Sequence, residues 1–322
     1  MRRLVLITGA AGFLGRAFVR YHKNSGDDVI AIDDMSNPYS YWTHSACSTQ
    51  IDAGEWFKRN REEFRSSSPI VDIAYHFAAS VGGRIAIEND PLFNADSLRL
   101  DAAFFQWALV HRPKVAVYPS SSAVYGVILQ GEEFCKLHES MFDANDPNWE
   151  KPDEIYGFTK LVGEVLAAKA AKAYGLDTLC IRPFSGYGED QSIEYPVPSI
   201  ARRAAARLDP LVIWGSGKQT RDFIHVSDIV GATIARIETG VTGYQTMNIG
   251  SGKGTSFNEL ALLFARIAKY EPVIRTDESK PVGVLNRVAE ITRMQSYYTP
   301  EISLGDGMAE IFDRAEAQSG VF

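Results

Sequence analysis

Gly9, Gly12 and Gly15 follow directly on the apolar run LVLIT, as TGAAGFLG, and open a stretch of helical periodicity. Nothing else in the 322 residues restricts the fold so tightly. Between a strand and a helix, glycines at this spacing serve a tight turn, close approach of a pyrophosphate to backbone N–H groups, and helix–strand packing. Phe13 and Leu14, lying between the second and third glycines, belong to the same dinucleotide-facing set. A glycine motif alone is a weak signal, since such turns also serve plain packing; here the flanking elements give it its context.

The rest of the N-terminal half has the rhythm this turn requires. VIAID at 29–33, IAYHFAA at 73–79, VAVYPSS at 115–121 and TLCIRP at 178–183 read as buried strands, with helical patterns between them, including 94–111 and 157–174. Continuous rather than alternating hydrophobicity suits a parallel sheet covered on both faces, so the expected fold is α/β with a doubly wound parallel sheet. Beyond about residue 184 Pro and Gly become frequent, and a smaller mixed C-terminal part is expected around 196–209, 256–270 and 300–315. The expected division is residues 1–183 for the dinucleotide and 184–322 for the substrate, with an interleaved boundary. The acidic, aperiodic stretch 127–155 reads as a loop or lid, or as a solvated surface insertion.

Asp33 ends the second strand, where a carboxylate accepts both ribose hydroxyls of an adenosine and repels the extra phosphate of NADP. The following DMSNP holds no Arg, so NAD is the expected cofactor. Asp52 fits either an adenine contact or an ordinary surface carboxylate. Tyr156 and Lys160 form Tyr-x-x-x-Lys at the head of a helix, and residues four apart share a face. An ammonium beside a phenol favours the phenolate, which is what a tyrosine acting as a base needs. The strand before them carries Ser120, Ser121 and Ser122, one of which can orient a substrate hydroxyl.

A formal net charge of -7 excludes general nucleic-acid binding, which needs a concentrated basic face. Cys47, Cys135 and Cys180 lack metal-type spacing, so neither a metal site nor a disulfide framework is expected. The apolar run after Met1-Arg2-Arg3 is too short for a leader, and no stretch approaches the length of a membrane span. A cytoplasmic chain with no membrane partner is the expectation.

TGAAGFLG, SSSAVYG, YGFTK, IRPFSGYG and WGSGKQTRDFIHVSDI, in that order, resemble the extended short-chain dehydrogenase/reductase family of nucleotide-sugar epimerases and dehydratases, over about residues 4–292. The resemblance implies a Rossmann fold, bound NAD and a nucleotide-diphosphate sugar as substrate. It implies Ser121 as the catalytic Ser/Thr, Tyr156 as general base and Lys160 as its partner. Arg221 matches an arginine that holds the substrate diphosphate; Arg287 falls where a second one often lies, or where a surface salt bridge would. AASVGG at 78–83 and LVIWGSG resemble the subgroup acting on GDP-sugars, which includes GDP-fucose synthase and GDP-mannose 3,5-epimerase. This adds Ala78 to the cofactor set and Gly82, Gly83, Ser122, Ser185 and Trp214 to the substrate set, although Trp214 fits a core position equally well. The resemblance further implies a homodimer, through the apolar faces of helices 94–111 and 157–174, faces that could equally pack on the sheet.

Several positions depart from the family. Ala123 stands where the 3,5-epimerases have a proton-relaying cysteine, Ser122 and Ala123 where dehydratases and decarboxylases carry acids, and Ser185 and Leu98 where asparagines are usual. What remains is a Ser/Tyr/Lys set sufficient for hydride transfer, hence 4-epimerisation through a transient 4-keto sugar. A 3,5-epimerase, dehydratase or ketosugar reductase would need Glu194, Tyr195 or His225 as acid and base; His225 also reads as a strand histidine with local hydrogen bonds. Outside catalysis, an NAD-sensing regulatory protein on the same fold is the alternative.

Overall fold

The computed structural model describes residues 2–37, 48–62, 70–80, 82–85, 90–146 and 148–319, so Cys47 lies outside the described residues. The first six strands are β1 (Leu4–Thr8), β2 (Asp28–Asp33), β3 (Ser48–Gln50), β4 (Ile73–His76), β5 (Val115–Pro119) and β6 (Thr178–Pro183). Short strands β7 (Ser185–Tyr187), β8 (Leu211–Trp214), β9 (Thr220–Arg221) and β10 (Phe223–His225) precede β11 (Tyr244–Ile249). β11 returns to the central sheet, whose order is β11-β6-β5-β4-β1-β2-β3 with every pairing parallel. The expected division at residues 183 and 184 is therefore crossed by a strand from the later segment.

The sheet is legible in the sequence because both faces are covered. Along β1, Val5 and Ile7 enter one core cluster and Leu6 enters the other. Along β5, Val115 and Val117 face the first cluster, Ala116 and Tyr118 the second. Each large apolar side chain buried this way contributes roughly 1.5–3 kcal/mol. The helices Pro91–His111 and Glu154–Tyr174 pack on the sheet, and Phe104, Phe105, Trp107 and Leu161 are buried inside the chain. Those side chains pack against the sheet within the chain.

The smaller part has its own core, where the helices Pro196–Ala205, Phe257–Ile267 and Leu304–Ser319 bring together Ile200, Leu260, Phe264 and Phe312. Its later strands are β12 (Thr255–Ser256), β13 (Ile274–Asp277) and β14 (Asn286–Arg287). β8 pairs with β13, and β9 lies between β12 and β14. The stretch 127–155 is not a solvated insertion throughout, because it is anchored in the core. Leu137 is fully buried, its N–H donates to Val288 O (2.8 Å), and Phe142 and Ala144 enter the core. The sequence hides this because the anchors are isolated apolar residues among acids.

One buried hydrogen-bond network ties these pieces together. Arg182, at the end of β6, donates to both oxygens of Glu164 at 2.8 and 2.7 Å, and both side chains have no exposed surface. Tyr244 of β11 donates to Glu164 (2.8 Å), as does Ser120 from the end of β5. Arg182 also donates to Tyr125 Oη (2.9 Å), and to Glu139 O and Phe142 O in the long loop (3.2 Å each). Removing one member of such a pair leaves an uncompensated buried charge. Glu164→Ala should therefore lower the unfolding free energy by about 3–5 kcal/mol, read from urea titrations, while the double change Glu164→Leu with Arg182→Met should recover most of it. A loss under about 1 kcal/mol in the single variant would contradict this account.

Candidate functional site

β1 has β4 on one side and β2 on the other, so successive crossovers run in opposite directions from it. In open parallel sheets the crevice at this reversal, beyond the C-terminal strand ends, is where ligands bind. A cleft of about 860 Å³ opens there and runs from the glycine turn to β8, β9 and β14.

The turn has the geometry its sequence implies. Gly9 has φ +64°, and a Cβ on it would lie 2.5 Å from the Phe77 carbonyl carbon. A Cβ on Gly15 would lie 2.0 Å from Gly9 O, so the helix Phe13–Asn24 can begin only over a bare backbone. Gly9, Gly12, Phe13, Leu14 and Gly15 all face the cleft, as does Ala78 after β4. The Asp33 carboxylate stands beside them, accepting from Ala11 N (3.0 Å) and Met35 N (2.8 Å). Burial pushes its carboxyl above the usual range, and those two N–H bonds act against the shift. Asp52 also borders the cleft, but both its oxygens are taken by the Arg99 guanidinium at 2.9 Å. A backbone that no side chain can enter, followed by a carboxylate at the second strand end, fits a dinucleotide.

The middle of the cleft holds the hydroxyls and the phenol. Ser121, Ser122, Tyr156 and Lys160 face it together. Ser121 Oγ accepts from Ala123 N (3.1 Å), which leaves its O–H free to donate, whereas Ser120 is committed to Glu164. Lys160 is buried, its Nζ lying 6.0 Å from the centre of the Tyr156 ring and 5.3 Å from that of Tyr118. Tyr118 donates to Asp101 Oδ2 (2.8 Å), and burial together with the Asp101 charge pushes its phenol far up, so it stays protonated. Behind it, Asp101 Oδ1 lies 3.3 Å from His76 Nε2, and burial holds that imidazole neutral. Tyr195, the N-cap of the helix Pro196–Ala205, is half-buried with its phenol raised, and it faces the cleft with Glu194. His225 does not line the cleft. It caps the helix Val226–Glu238 by accepting from Ser227 N (3.3 Å).

The far end is cationic. Arg84 Nη1 and Arg287 Nη2 each donate to a different oxygen of Asp153, at 2.9 and 2.8 Å, and Arg287 Nε donates to Gln130 (2.6 Å). Arg221 adds a third guanidinium, which donates only to carbonyls, of Thr220 (2.9 Å) and Val282 (3.3 Å) among them, and lies 5.6 Å from the Phe257 ring centre. Burial, then Arg287, push Arg221 down to about 9, Asp153 opposing, so it is charged at neutral pH. Among the described residues no carboxylate forms an ion pair with it. Three cations around one carboxylate make a socket for an anion with two or more charges. Trp214 is 38% exposed at the rim, which excludes a core role, and Ser185 and Gly82 line the wall between. Gly83 is buried behind that wall, where a Cβ would meet Glu194 O at 3.0 Å.

Arg84 and Asp153 are the two site residues that the sequence reading missed. Arg84 follows a segment legible only for its glycines, and Asp153 is hidden in the acidic loop. The spacing of Asp153 three residues before Tyr156 is the signal that was available. Among the described residues, no helix is long and apolar enough to cross a membrane.

Comparison with known proteins accords with this geometry. The model of the NAD dependent epimerase/dehydratase family matches residues 5–250. The dTDP-4-dehydro-6-deoxy-D-allose reductase of Streptomyces bikiniensis is 29% identical over 307 residues, 91% of this chain and 89% of its own. Among solved structures, a UDP-glucose 4-epimerase of Thermotoga maritima with UDP-glucose superimposes with a TM-score of 0.84, at 21% identity, over 99% of this chain and all of its own. A UDP-glucuronic acid 4-epimerase of Bacillus cereus, solved with UDP-glucuronic acid and NAD, gives 0.81 at 23% identity, covering 98% of this chain and 99% of its own.

NAD is the cofactor of this family, and we propose Asp33 as the residue whose charge separates it from NADP. Asp33→Ala should weaken NAD binding about tenfold and narrow the preference over NADP, because the ribose hydroxyls lose a charged acceptor. Calorimetric titration with both dinucleotides reads the two numbers; unchanged discrimination would remove Asp33 from this role.

Proposed function

The chain belongs to the NAD-dependent epimerase/dehydratase family, and from that premise we propose that it inverts C4 of the sugar in a nucleotide-diphosphate sugar through a transient 4-keto sugar. The observation that carries the reading is that one cleft is lined by the glycine turn, by Ser121 with Tyr156 and Lys160, and by the three arginines. That lining suits two ligands side by side, a dinucleotide on the glycine turn and a nucleotide-diphosphate sugar whose diphosphate meets the arginines.

Bound NAD supplies a hydride acceptor that later returns the hydride. Tyr156 takes the proton of the C4 hydroxyl, with the buried Lys160 ammonium beside its ring. Ser121 donates its free O–H to the same oxygen as it becomes a carbonyl. The keto sugar then turns over in the cleft and presents its other face, while Arg84, Arg221 and Arg287 hold the diphosphate. Ala123, buried and without an acid or thiol, and Ser122 beside it support a reaction that needs no proton transfer at carbon.

A second reading, reduction of a 4-keto sugar, is supported by the Streptomyces relative, which covers nearly the whole chain. Both readings place hydride transfer at C4 and differ in whether the cofactor is consumed. The non-catalytic alternative, an NAD-responsive regulator, leaves the Tyr156, Lys160 and Ser121 arrangement without a purpose.

Incubation with UDP-, dTDP-, GDP- and CDP-sugars in deuterated water separates the readings. The expected product is a 4-epimer with no deuterium on carbon and no net change in NADH. Stoichiometric NADH oxidation with a 4-keto substrate would favour the reductase, and loss of water or deuterium on carbon would overturn both. Tyr156→Phe should lower turnover at least about a thousandfold while NAD stays bound. Arg221→Gln should weaken binding of a nucleoside diphosphate roughly ten- to a hundredfold without lowering Tm, since removing it relieves repulsion from Arg287.

A further inference from the structure

Outside the cleft, three side chains converge at the base of the long loop. Leu137 N donates to Val288 O (2.8 Å) and Glu290 N donates to Leu137 O (2.9 Å), so backbone bonds hold His138 and Glu139 against Glu290. Asn248 fixes the same two segments, donating from its side chain to Leu137 O (2.8 Å) and Glu290 O (3.1 Å).

Each glutamate uses one oxygen for structure and leaves the other bare. Glu139 Oε1 accepts from Asn248 N (2.9 Å) and lies 4.0 Å from Arg293 Nε, while Glu290 Oε1 accepts from Thr292 N (3.0 Å). Glu139 Oε2 and Glu290 Oε2 are both buried and accept no hydrogen bond. The Glu139 side chain is 1% exposed, and its bare oxygen lies 4.0 Å from His138 Nε2. Glu290 Oε2 is 3.6 Å from the same nitrogen. Among the described residues the other bare buried carboxylate oxygen, on Asp101, already faces His76 at 3.3 Å. A buried anionic oxygen with no donor needs a cation or a solvent molecule to satisfy it.

We propose that His138, Glu139 and Glu290 bind a divalent transition-metal cation. One donor atom from each lies within 4.8 Å of the others. One imidazole and two carboxylates form a mixed N/O set of the kind taken by zinc and its neighbours rather than by magnesium or calcium. Zinc bonds of about 2.0–2.2 Å bring ligand atoms to roughly 3.4 Å from one another, so donor atoms now up to 4.8 Å apart close in by up to about 1.4 Å. His138 is 42% exposed, which opens a path for the ion. Its Nδ1 lies 2.8 Å from Ser140 Oγ and accepts from Ser140 N (3.1 Å), so ligation through Nε2 moves the ring proton to Nδ1 and exchanges that backbone bond for one donated to Ser140 Oγ. The ion would clip the 127–155 segment to the chain leading out of β14.

The test uses the untagged full chain, stripped with EDTA and titrated with Zn2+ by calorimetry, with Tm recorded alongside. The expected result is one Zn2+ per chain at micromolar or lower Kd and a raised Tm. Both should be lost or weakened at least tenfold in His138→Ala and in the isosteric Glu290→Gln. Metal-free circular dichroism and Tm of the two variants check that they fold. No stoichiometric binding at micromolar Zn2+, or equal binding by wild type and both folded variants, overturns the proposal. Displacement of Zn2+ by equimolar Mg2+ overturns the assigned class of ion. The outcome is independent of sugar chemistry, since none of the three residues lines the cleft.

Discussion

The Glu164 carboxylate and the Arg182 guanidinium meet where neither has any exposed surface, and the fold is arranged to make that tolerable. An isolated buried ion costs several kcal/mol, so every remaining lone pair and N–H of the pair must find a partner. Those partners come from all over the chain: Ser120 beside the cleft, Tyr244 on the seventh strand of the sheet, Tyr125, and carbonyls of the long loop. Glu164 lies on the helix that carries Tyr156 and Lys160, and Arg182 lies two residues before Phe184 on the cleft wall. Seating this one pair therefore fixes the strand ends, the helix and the loop against one another. Buried pairs add little net stability over an apolar core; what this one supplies is a single admissible arrangement.

The cleft follows the opposite rule. Asp153 balances only part of the charge of Arg84, Arg221 and Arg287, and Arg221 is left against carbonyls and an aromatic ring. Asp153 could have capped its own helix, yet its carboxylate makes no cap bond there and holds two guanidiniums instead. The following residue, Glu154, has φ +56°. Strained backbone of this kind persists where the surroundings over-determine it, typically beside a functional site. The Glu164–Arg182 pair is matched on all sides, whereas the cleft keeps positive charge in excess for a ligand to match.

How much of this was legible in the sequence varied by element. β1, β4 and β5 are continuous apolar runs because they are covered on both faces, and they were readable for that reason. β11 was not: YQTMNI mixes polar and apolar residues, since it is the edge strand and its buried Asn248 is spent on hydrogen bonds. Glycines in the turn announce themselves because nothing else fits, as the 2.0 Å from a Gly15 Cβ to Gly9 O makes plain. Arginines do not announce themselves: Arg84 stands between Gly83 and Ile85 and Arg99 between two leucines, yet one joins the anion socket and the other ties up Asp52. Which charged side chains meet is decided by tertiary geometry, and no local pattern encodes it.

The placement of β11 beside β6 bears on how the protein is made. During synthesis the chain reaches the end of β6 well before Tyr244–Ile249 leaves the ribosome, and until then the outer edge of β6 has no neighbour. An open strand edge invites pairing with other chains. In the same interval Glu164 lacks Tyr244 and Tyr125 lacks Asn248, so the buried charges are only partly satisfied. The N-terminal half is thus an unfinished sheet while it waits on the tunnel, and the nascent chain depends on the prompt arrival of its own later strand.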